Sequence, residues 1–275
     1  MKFTYSEWEG FCRALSKRGI YSTAACSVLE SYRSNTSISI RFLNLKHDVE
    51  SHPEKALELA KLESKYGHHS TYYIQGALMT EANVRIFKEI QGLGHEVSIH
   101  HEVMDLARGD LLSAIDIFES EIKRFESFGF KIITVCQHGN PVSEYENRDF
   151  FKSQLVQKKF HNIVDIMVNY GREIAQDYVY ISDAGMSFNV ILDPMSPYSK
   201  SKLVGNSDDV LNFLLKNPDR SFIVSAHPHR YNRYSYIATI HKIVFDVVRI
   251  IARPLLRVPT IKKFIFNHSS ITKYI

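Results

Sequence analysis

Residues 37–50 read SISIRFLNLKHDVE, and this stretch decides how the chain begins its fold. Polar and apolar side chains alternate from Ser37 to Leu45, which predicts a half-buried strand. Pro53–Tyr66 then has Pro at a first helical turn and apolar residues at helical spacing, and Ser70–Ile74 is rich in strand formers. A strand, a helix and a second strand predict one β-α-β unit, with the polar run Lys46–Glu50 at the end of its first strand.

The same succession of strands and helices continues along the chain. Further helices are predicted over Ser6–Lys17 with Ser6 as cap, Glu81–Leu93, Asp110–Phe128 and Asp208–Lys216, and further strands over His95–His100, Ile132–Cys136, Tyr178–Ser182 and Ser221–Ser225. Repeated β-α units predict a parallel sheet, open or closed into a barrel, with ligands at the carboxyl ends of the strands. Since no Pro/Gly/Ser-rich linker interrupts them, we expect one domain over residues 1–236, followed by a tail over 237–275.

Composition excludes several classes of protein. The net charge is only +4, and Lys and Arg are scattered through the first two thirds, so a nucleic acid is not an expected partner. The three cysteines, Cys12, Cys26 and Cys136, form no even disulfide framework and suit a reducing compartment. The start of the sequence does not read as a signal peptide, and no segment has the run of roughly 18 uncharged apolar residues that marks a membrane span. We therefore predict a cytoplasmic protein.

Two carboxylates, Asp48 and Glu50, stand two residues apart at the end of the first predicted strand. In extended backbone they face the same way, so they can share one cation or divide the roles of base and ligand. The alternative is that they favour the start of the helix after Pro53 through its dipole.

Three imidazoles follow other predicted strands. His100 and Glu102 repeat the spacing of two residues, and one imidazole with one carboxylate is half of a typical zinc set; the alternative is a solvated loop. His138 precedes a glycine that allows a tight turn, although the backbone of a loop could equally satisfy it. His227 precedes a proline that restricts it to extended backbone, which suits a proton donor and also an ordinary strand cap.

At these residues the sequence resembles the polysaccharide deacetylase superfamily, of the carbohydrate esterase family 4 type. The likeness runs from about Arg41 to Arg230 through four motifs: Lys46–Glu50, Gly94–His100, Cys136–Pro141 and His227–Arg230. It implies an α/β fold, a distorted (β/α) barrel of about seven parallel strands, and removal of N- or O-acetyl groups from sugars with a divalent metal. It also implies that Asp48 is the catalytic base, Glu50 and His100 are metal ligands, and His227 is the catalytic acid.

One position departs from the family. The resembling enzymes place a second metal histidine four residues after the first, where this chain has Met104. Glu102 or His138 is the expected replacement, and His138 is favoured because this branch of the family has a His-Gly motif there. The implied ion is zinc, with cobalt, nickel or manganese as alternatives. If neither residue replaces the histidine, the site binds metal poorly.

The resulting hypothesis is a metal-dependent N-deacetylase for an acetamido sugar in cell-surface glycan biosynthesis, such as O-antigen or capsule. Two alternatives remain open: a non-catalytic carbohydrate-binding relative with a degraded metal site, and a metal-dependent amidohydrolase for a small non-sugar substrate. Polar residues near the predicted strand ends are candidates to hold sugar hydroxyls, a phosphate or a carboxylate, unless they are solvated loop residues: Asn140, Arg148, Asp183 and Arg230.

The tail from Ile237 has a different character. Ile and Val recur at helical spacing from Ile240 to Ile251, with Lys, Arg and His around them. Such a basic amphipathic helix can lie at the interface of an anionic membrane, here the inner face. The alternatives are a helix that closes the bottom of the barrel and one that pairs with another subunit.

Overall fold

A sheet of nine strands forms the centre of the chain in the computed structural model, which describes residues 3–34, 41–140, 143–174, 176–191 and 201–255. In chain order the strands are β1 (Leu43–Val49), β2 (Thr71–Gln75), β3 (Glu96–His101), β4 (Thr134–Gln137), β5 (Val164–Asp165), β6 (Tyr178–Ser182), β7 (Phe188–Ile191), β8 (Ser201–Gly205) and β9 (Ser221–Ala226). Their order across the sheet is β5-β4-β3-β2-β1-β9-β6-β7-β8.

The first seven strands of that order pair in parallel, and β7 and β8 add an antiparallel end. This confirms the predicted α/β fold with about seven parallel strands. Within the described part of the chain, β5 and β8 stand at the two ends of the order, so the pairing describes an open sheet and not a closed ring.

Eleven α-helices accompany these strands in the described ranges. They are α1 (Tyr5–Ser16), α2 (Ala25–Arg33), α3 (Pro53–Lys65), α4 (Glu81–Gly92), α5 (Val103–Leu106), α6 (Leu111–Ser127), α7 (Arg148–Lys152), α8 (Gln154–Lys159), α9 (Tyr170–Glu173), α10 (Ser207–Lys216) and α11 (Ser235–Leu255). The predicted helices all occur. The cap of α1 is Thr4 and not Ser6, since the Thr4 hydroxyl accepts from the Glu7 N–H at 3.2 Å. Helix α2 was not predicted.

Strand β1 differs from the half-buried strand expected over Ser37–Leu45. It begins at Leu43, continues to Val49 and is buried along its whole length, while residues 35–40 lie outside the described ranges. The reason is its central place between β2 and β9, where both faces of the strand are covered. Lys46 and Asp48 therefore lie inside the strand and not after it.

The two faces of β1 carry different residues. Leu45 and Val49 enter the apolar cores under the helices. His47 lies on the same face, where its Nε2 is 2.7 Å from Glu63 Oε1 of α3 and its Nδ1 is 3.1 Å from the Ala226 carbonyl oxygen. Both ring nitrogens of His47 therefore have an oxygen partner inside the fold. The opposite face carries Lys46 and Asp48 toward the site.

Candidate metal centre and acid–base site

The carboxyl ends of several parallel strands bring five titratable side chains together. Asp48 lies near the end of β1 and Glu50 directly after it, His100 lies in β3, His138 follows β4, and His227 follows β9. Parallel strands point their carboxyl ends toward one edge of the sheet, which is where such sheets bind ligands. The four polar motifs of the sequence meet at this edge.

Glu50, His100 and His138 form a group with the dimensions of a metal site. The Nε2 atoms of His100 and His138 lie 3.5 Å and 3.4 Å from Glu50 Oε1, and the three ligand atoms are all within 4.8 Å of one another. Ligands held at about 2.0–2.1 Å around a tetrahedral zinc ion are about 3.4 Å apart. The spacing is longer than an ordinary hydrogen bond and equals the edge of that tetrahedron.

The hydrogen bonding of His100 leaves one ring nitrogen available. Its Nδ1 lies 3.1 Å from the carbonyl oxygen of Cys136, which can only accept, so Nδ1 carries the proton. Its Nε2 is buried with no hydrogen-bond partner, and in a neutral ring this nitrogen is an acceptor. An orphaned buried acceptor of this kind is what a bound cation would satisfy, and a backbone carbonyl behind the other nitrogen is a common way to orient a metal-binding imidazole. The residues present fit a divalent ion of the zinc class.

The structure separates the two candidates for the ligand that Met104 cannot supply. His138 points its Nε2 at Glu50, whereas Glu102 Oε2 lies 3.7 Å from Nδ1, on the other side of the ring. Burial lowers the pKa of His138, but the carboxylates of Glu50 and Glu102 outweigh it and the pKa is raised. Glu102 therefore approaches the ring nitrogen of His138 that faces away from Glu50, and the buried Met104, a residue of α5, packs in the apolar core.

Asp48 forms a buried ion pair with Lys46. Lys46 Nζ donates to Asp48 Oδ2 at 2.6 Å, and both side chains are almost fully buried. Burial alone would raise the pKa of Asp48, but Lys46, His100 and His227 hold it well below its ordinary value. The other oxygen, Oδ1, is buried without a hydrogen-bond partner and lies 3.9 Å from His100 Nδ1. Asp48 is thus an ionised, fixed carboxylate with one oxygen available at the site.

The sequence analysis did not single out Lys46. The signal that could have found it is a lysine two residues before Asp48, on the same face of a strand that is otherwise apolar at its centre. A lysine in a buried strand requires a partner, and the nearest residue of its own face supplies one.

His227 is held by a carboxylate that the sequence analysis had placed among the substrate-binding residues. Its Nδ1 donates to Asp183 Oδ1 at 2.5 Å, and its backbone N–H donates to Asp183 Oδ2 at 3.0 Å. Its Nε2 points to the site, 3.8 Å from Asp48 Oδ2 and 3.9 Å from Glu50 Oε1. Arg230 donates to Asp183 Oδ1 at 2.8 Å.

These contacts give Asp183 a role other than the predicted one, while the predicted contact of Arg230 with substrate stays a prediction. Asp183 is fully buried and both its oxygens are occupied, so it is not placed to hold a sugar hydroxyl. Burial raises its pKa, but Arg230 and His227 outweigh burial and lower it. Asp183 orients His227, and Arg230 helps to keep Asp183 ionised.

Asn140 and Arg148, also predicted to bind substrate, lie in the segment after β4. Asn140 donates to Asp105 Oδ2 at 3.1 Å, and Asn147 donates to the same oxygen at 3.0 Å. Arg148 begins α7 and its Nε lies 3.0 Å from Glu146 Oε2. Asp105, which the sequence analysis did not name, thus fixes the segment that carries His138. Neither predicted contact with substrate is tested by these bonds.

Comparisons with known proteins find similar chains only among solved structures, at low sequence identity. No family model matches the chain, and neither does any curated protein. A Streptococcus mutans esterase of carbohydrate esterase family 4 is 14% identical, covers 83% of this chain and 88% of its own, and has a TM-score of 0.46.

Two further solved structures are similar to the chain. The catalytic domain of a peptidoglycan N-acetylglucosamine deacetylase from Eubacterium rectale is 14% identical, with 77% and 89% coverage and a TM-score of 0.44. A mutant of a family-4 pseudoenzyme with restored activity is 13% identical, with 75% and 62% coverage and a TM-score of 0.44.

Proposed function

We propose that the chain is a metal-dependent hydrolase that removes the acetyl group from an acetamido sugar. The observation that carries the proposal is the group formed by Glu50, His100 and His138, with Asp48 and His227 turned toward the same point. Two imidazoles and one carboxylate form a donor set typical of catalytic zinc, which leaves a fourth position open for water or substrate. When bound, such an ion would make water more acidic and polarise the acyl carbonyl.

The residues of this chain supply the proton transfers. Asp48 stays ionised because Lys46 holds its pKa low, so it can accept a proton and is a weak base. A weak base suffices only for a water that has already been made more acidic, which ties its role to the metal group beside it. His227, oriented by Asp183, donates from Nε2 to the departing amine. The amide C–N bond breaks, and acetate and a free amino sugar result.

The choice of substrate rests on the sequence motifs. We propose an acetamido sugar of a cell-surface glycan, such as O-antigen or capsule, as substrate, zinc as the ion, and the cytoplasm as the compartment. A substrate panel of N-acetylated monosaccharides, nucleotide sugars and chito-oligomers, with acetate release as the readout, separates this proposal from an amidohydrolase for small non-sugar amides.

The first test is metal content by elemental analysis of protein purified without chelator. We expect about one zinc-class ion per chain in the wild type. His100→Ala removes a ligand atom and should lose the ion, while His161→Ala, which alters an exposed imidazole, should retain it. Elemental analysis of all three proteins after metal addition and dialysis provides the comparison.

Two outcomes contradict the proposal. If the wild type retains no metal after addition, the non-catalytic carbohydrate-binding alternative takes its place. If His100→Ala binds as much metal as the wild type, the ion lies somewhere other than the group of Glu50, His100 and His138.

A further inference from the structure

Helix α11 exposes a continuous apolar stripe. Six large apolar residues of this helix are each at least half exposed: Ile240, Ile243, Val244, Val247, Ile250 and Ile251. Their spacing of three and four residues places them on one side of the helix. The most exposed, Ile250, keeps 70% of its accessible surface. Isolated apolar residues on a surface are ordinary, but a contiguous patch marks an interaction site.

The opposite side of α11 already has its partner within the chain. Ala238 and Ala252 are buried, and the partly buried Phe245 packs against the apolar core that contains Phe188 and Tyr231. These three residues of α11 are seven apart and so form one inner face. The exposed stripe is thus a second apolar face, which the described part of the chain leaves uncovered.

The sequence of the C-terminal region is strongly one-sided in charge. Residues 231–275 contain eight Lys or Arg and a single acid, Asp246, which gives a net charge of +7. The whole chain carries +4, so residues 1–230 carry −3. Asp246 itself is paired with Lys242 at 2.8 Å and Arg249 at 3.0 Å. The stripe therefore belongs to a basic region of an otherwise slightly acidic chain.

We propose that the stripe of α11 docks on the surface of an anionic lipid bilayer. An apolar face inserts into the boundary between headgroups and acyl chains, and nearby Lys and Arg are attracted by anionic lipid. A second copy of the chain would bring two regions of +7 together, which opposes pairing through this face. A nucleic acid would match the charge but not a row of Ile and Val. Among the described residues no helix is long and apolar enough to cross a membrane, so α11 lies on the bilayer instead of spanning it.

Helix α11 lies close to the candidate site. The helix begins five residues after Arg230. The Arg249 guanidinium lies next to Gly185, two residues after Asp183, at 3.5 Å from the position that a Cβ would take there. The helix therefore runs beside the loops at the carboxyl ends of β9 and β6. If the proposed function holds, docking brings the catalytic edge near the headgroups, where a lipid-linked sugar would be presented.

Vesicle sedimentation with the full chain tests the docking. The probes are vesicles of equal parts phosphatidylcholine and phosphatidylglycerol, and vesicles of phosphatidylcholine alone. We expect the wild type to sediment with the anionic vesicles and to be released by salt. Ile243→Asp/Ile250→Asp, two changes at exposed positions, should weaken partitioning about tenfold or more per residue. His241→Asp, which adds a carboxylate to the same helix outside the stripe, should leave partitioning within about twofold.

Several outcomes overturn the proposal. These are no sedimentation of the wild type with anionic vesicles, equal sedimentation with both vesicle types, and equal partitioning of the double variant and the wild type. A dimer measured by light scattering that the double variant converts to monomer would assign the stripe to a second copy instead. No substrate enters the assay, so its result is independent of whether the proposed deacetylation is correct. Circular dichroism of each variant confirms that it is folded.

Discussion

At the scale of single residues, kinetics can decide whether Asp183 binds substrate or positions His227. A substrate-binding residue mainly changes KM, whereas a residue that positions the acid His227 mainly changes kcat. We expect Asp183→Asn to lower kcat roughly 10²-fold or more with little change in KM, because His227 loses the partner of its charged form. Steady-state kinetics with an acetylated sugar found in the substrate panel measure both constants.

The control for Asp183→Asn is Asp177→Asn, the same change at an exposed position just before β6. Metal content should be unchanged in both variants, since neither residue belongs to the metal group. A raised KM with unchanged kcat in Asp183→Asn would return this residue to the role predicted from sequence.

Lys46 and Asp48 form a buried ion pair, and removing one partner should destabilise the fold more than removing both. Lys46→Met leaves the Asp48 carboxylate buried and unpaired, and breaking a buried pair from one side costs about 3–5 kcal/mol. Removing both charges with Lys46→Met/Asp48→Leu should restore most of the free energy of unfolding while abolishing activity. Urea denaturation of the single and double variants gives both differences.

Lys61→Met, at an exposed position of α3, is the matched lysine control and should change stability by less than about 1 kcal/mol. If Lys46→Met proves as stable as the wild type, the ion pair does not hold Asp48 in place. The interpretation of Asp48 as a fixed, ionised base would then fail at its first step.

At the scale of elements, Glu63 joins α3 to α1, β1 and β2. Its carboxylate accepts from Trp8 Nε1 at 2.8 Å, His47 Nε2 at 2.7 Å and the Tyr72 hydroxyl at 2.7 Å. Burial acts to raise its pKa, but His47 above all lowers it from 4.5 to about 2. Three donors on one buried carboxylate make this residue a junction between four elements.

The pH dependence of stability follows from the lowered pKa of Glu63. A carboxyl group whose pKa is lowered by folding stabilises the folded chain at pH values above its unfolded pKa. Glu63 therefore contributes about 3 kcal/mol to the free energy of unfolding at neutral pH. This contribution is lost as the pH falls from 4.5 toward 2. Glu63→Gln lacks this contribution, and its free energy of unfolding should approach that of the wild type over the same range. Denaturant titrations at a series of pH values measure it.

Glu58→Gln changes an exposed carboxylate of the same helix and serves as the control. Its stability should follow the wild type at every pH. A constant difference between Glu63→Gln and the wild type from neutral pH down to pH 2 would mean that folding does not lower the pKa of Glu63.

At the scale of the whole molecule, the sequence predicts the course of the sheet and the meeting of the four motifs well. Apolar runs that end in Asp48, His100, His138 and His227 are local patterns, and the rule for parallel sheets then brings their ends together. The start and end of β1 were misjudged, because alternation in a sequence does not reveal that a strand is central and covered on both faces.

Other contacts of the site could not be predicted from the sequence alone. The pairing of Asp183 with His227 joins residues 44 positions apart and leaves no local pattern in the sequence. The choice between Glu102 and His138 as metal ligand depends on the His138 ring. Glu50 approaches its Nε2 and Glu102 approaches its Nδ1. Contacts of this kind are set by packing, which periodicity and spacing do not encode.

The charges of β1 also bear on what this chain does before it is folded. Central strands of parallel sheets are usually continuous apolar runs, which are the segments that stack into cross-β aggregates. Here Lys46, His47 and Asp48 interrupt the strand, and the partner of His47, Glu63 of α3, is supplied only by the native fold. A stack of identical copies in register would place Lys46 against Lys46 and Asp48 against Asp48, which is unfavourable. The strand that carries the site is therefore protected against aggregation by the same charges that give the site its chemistry.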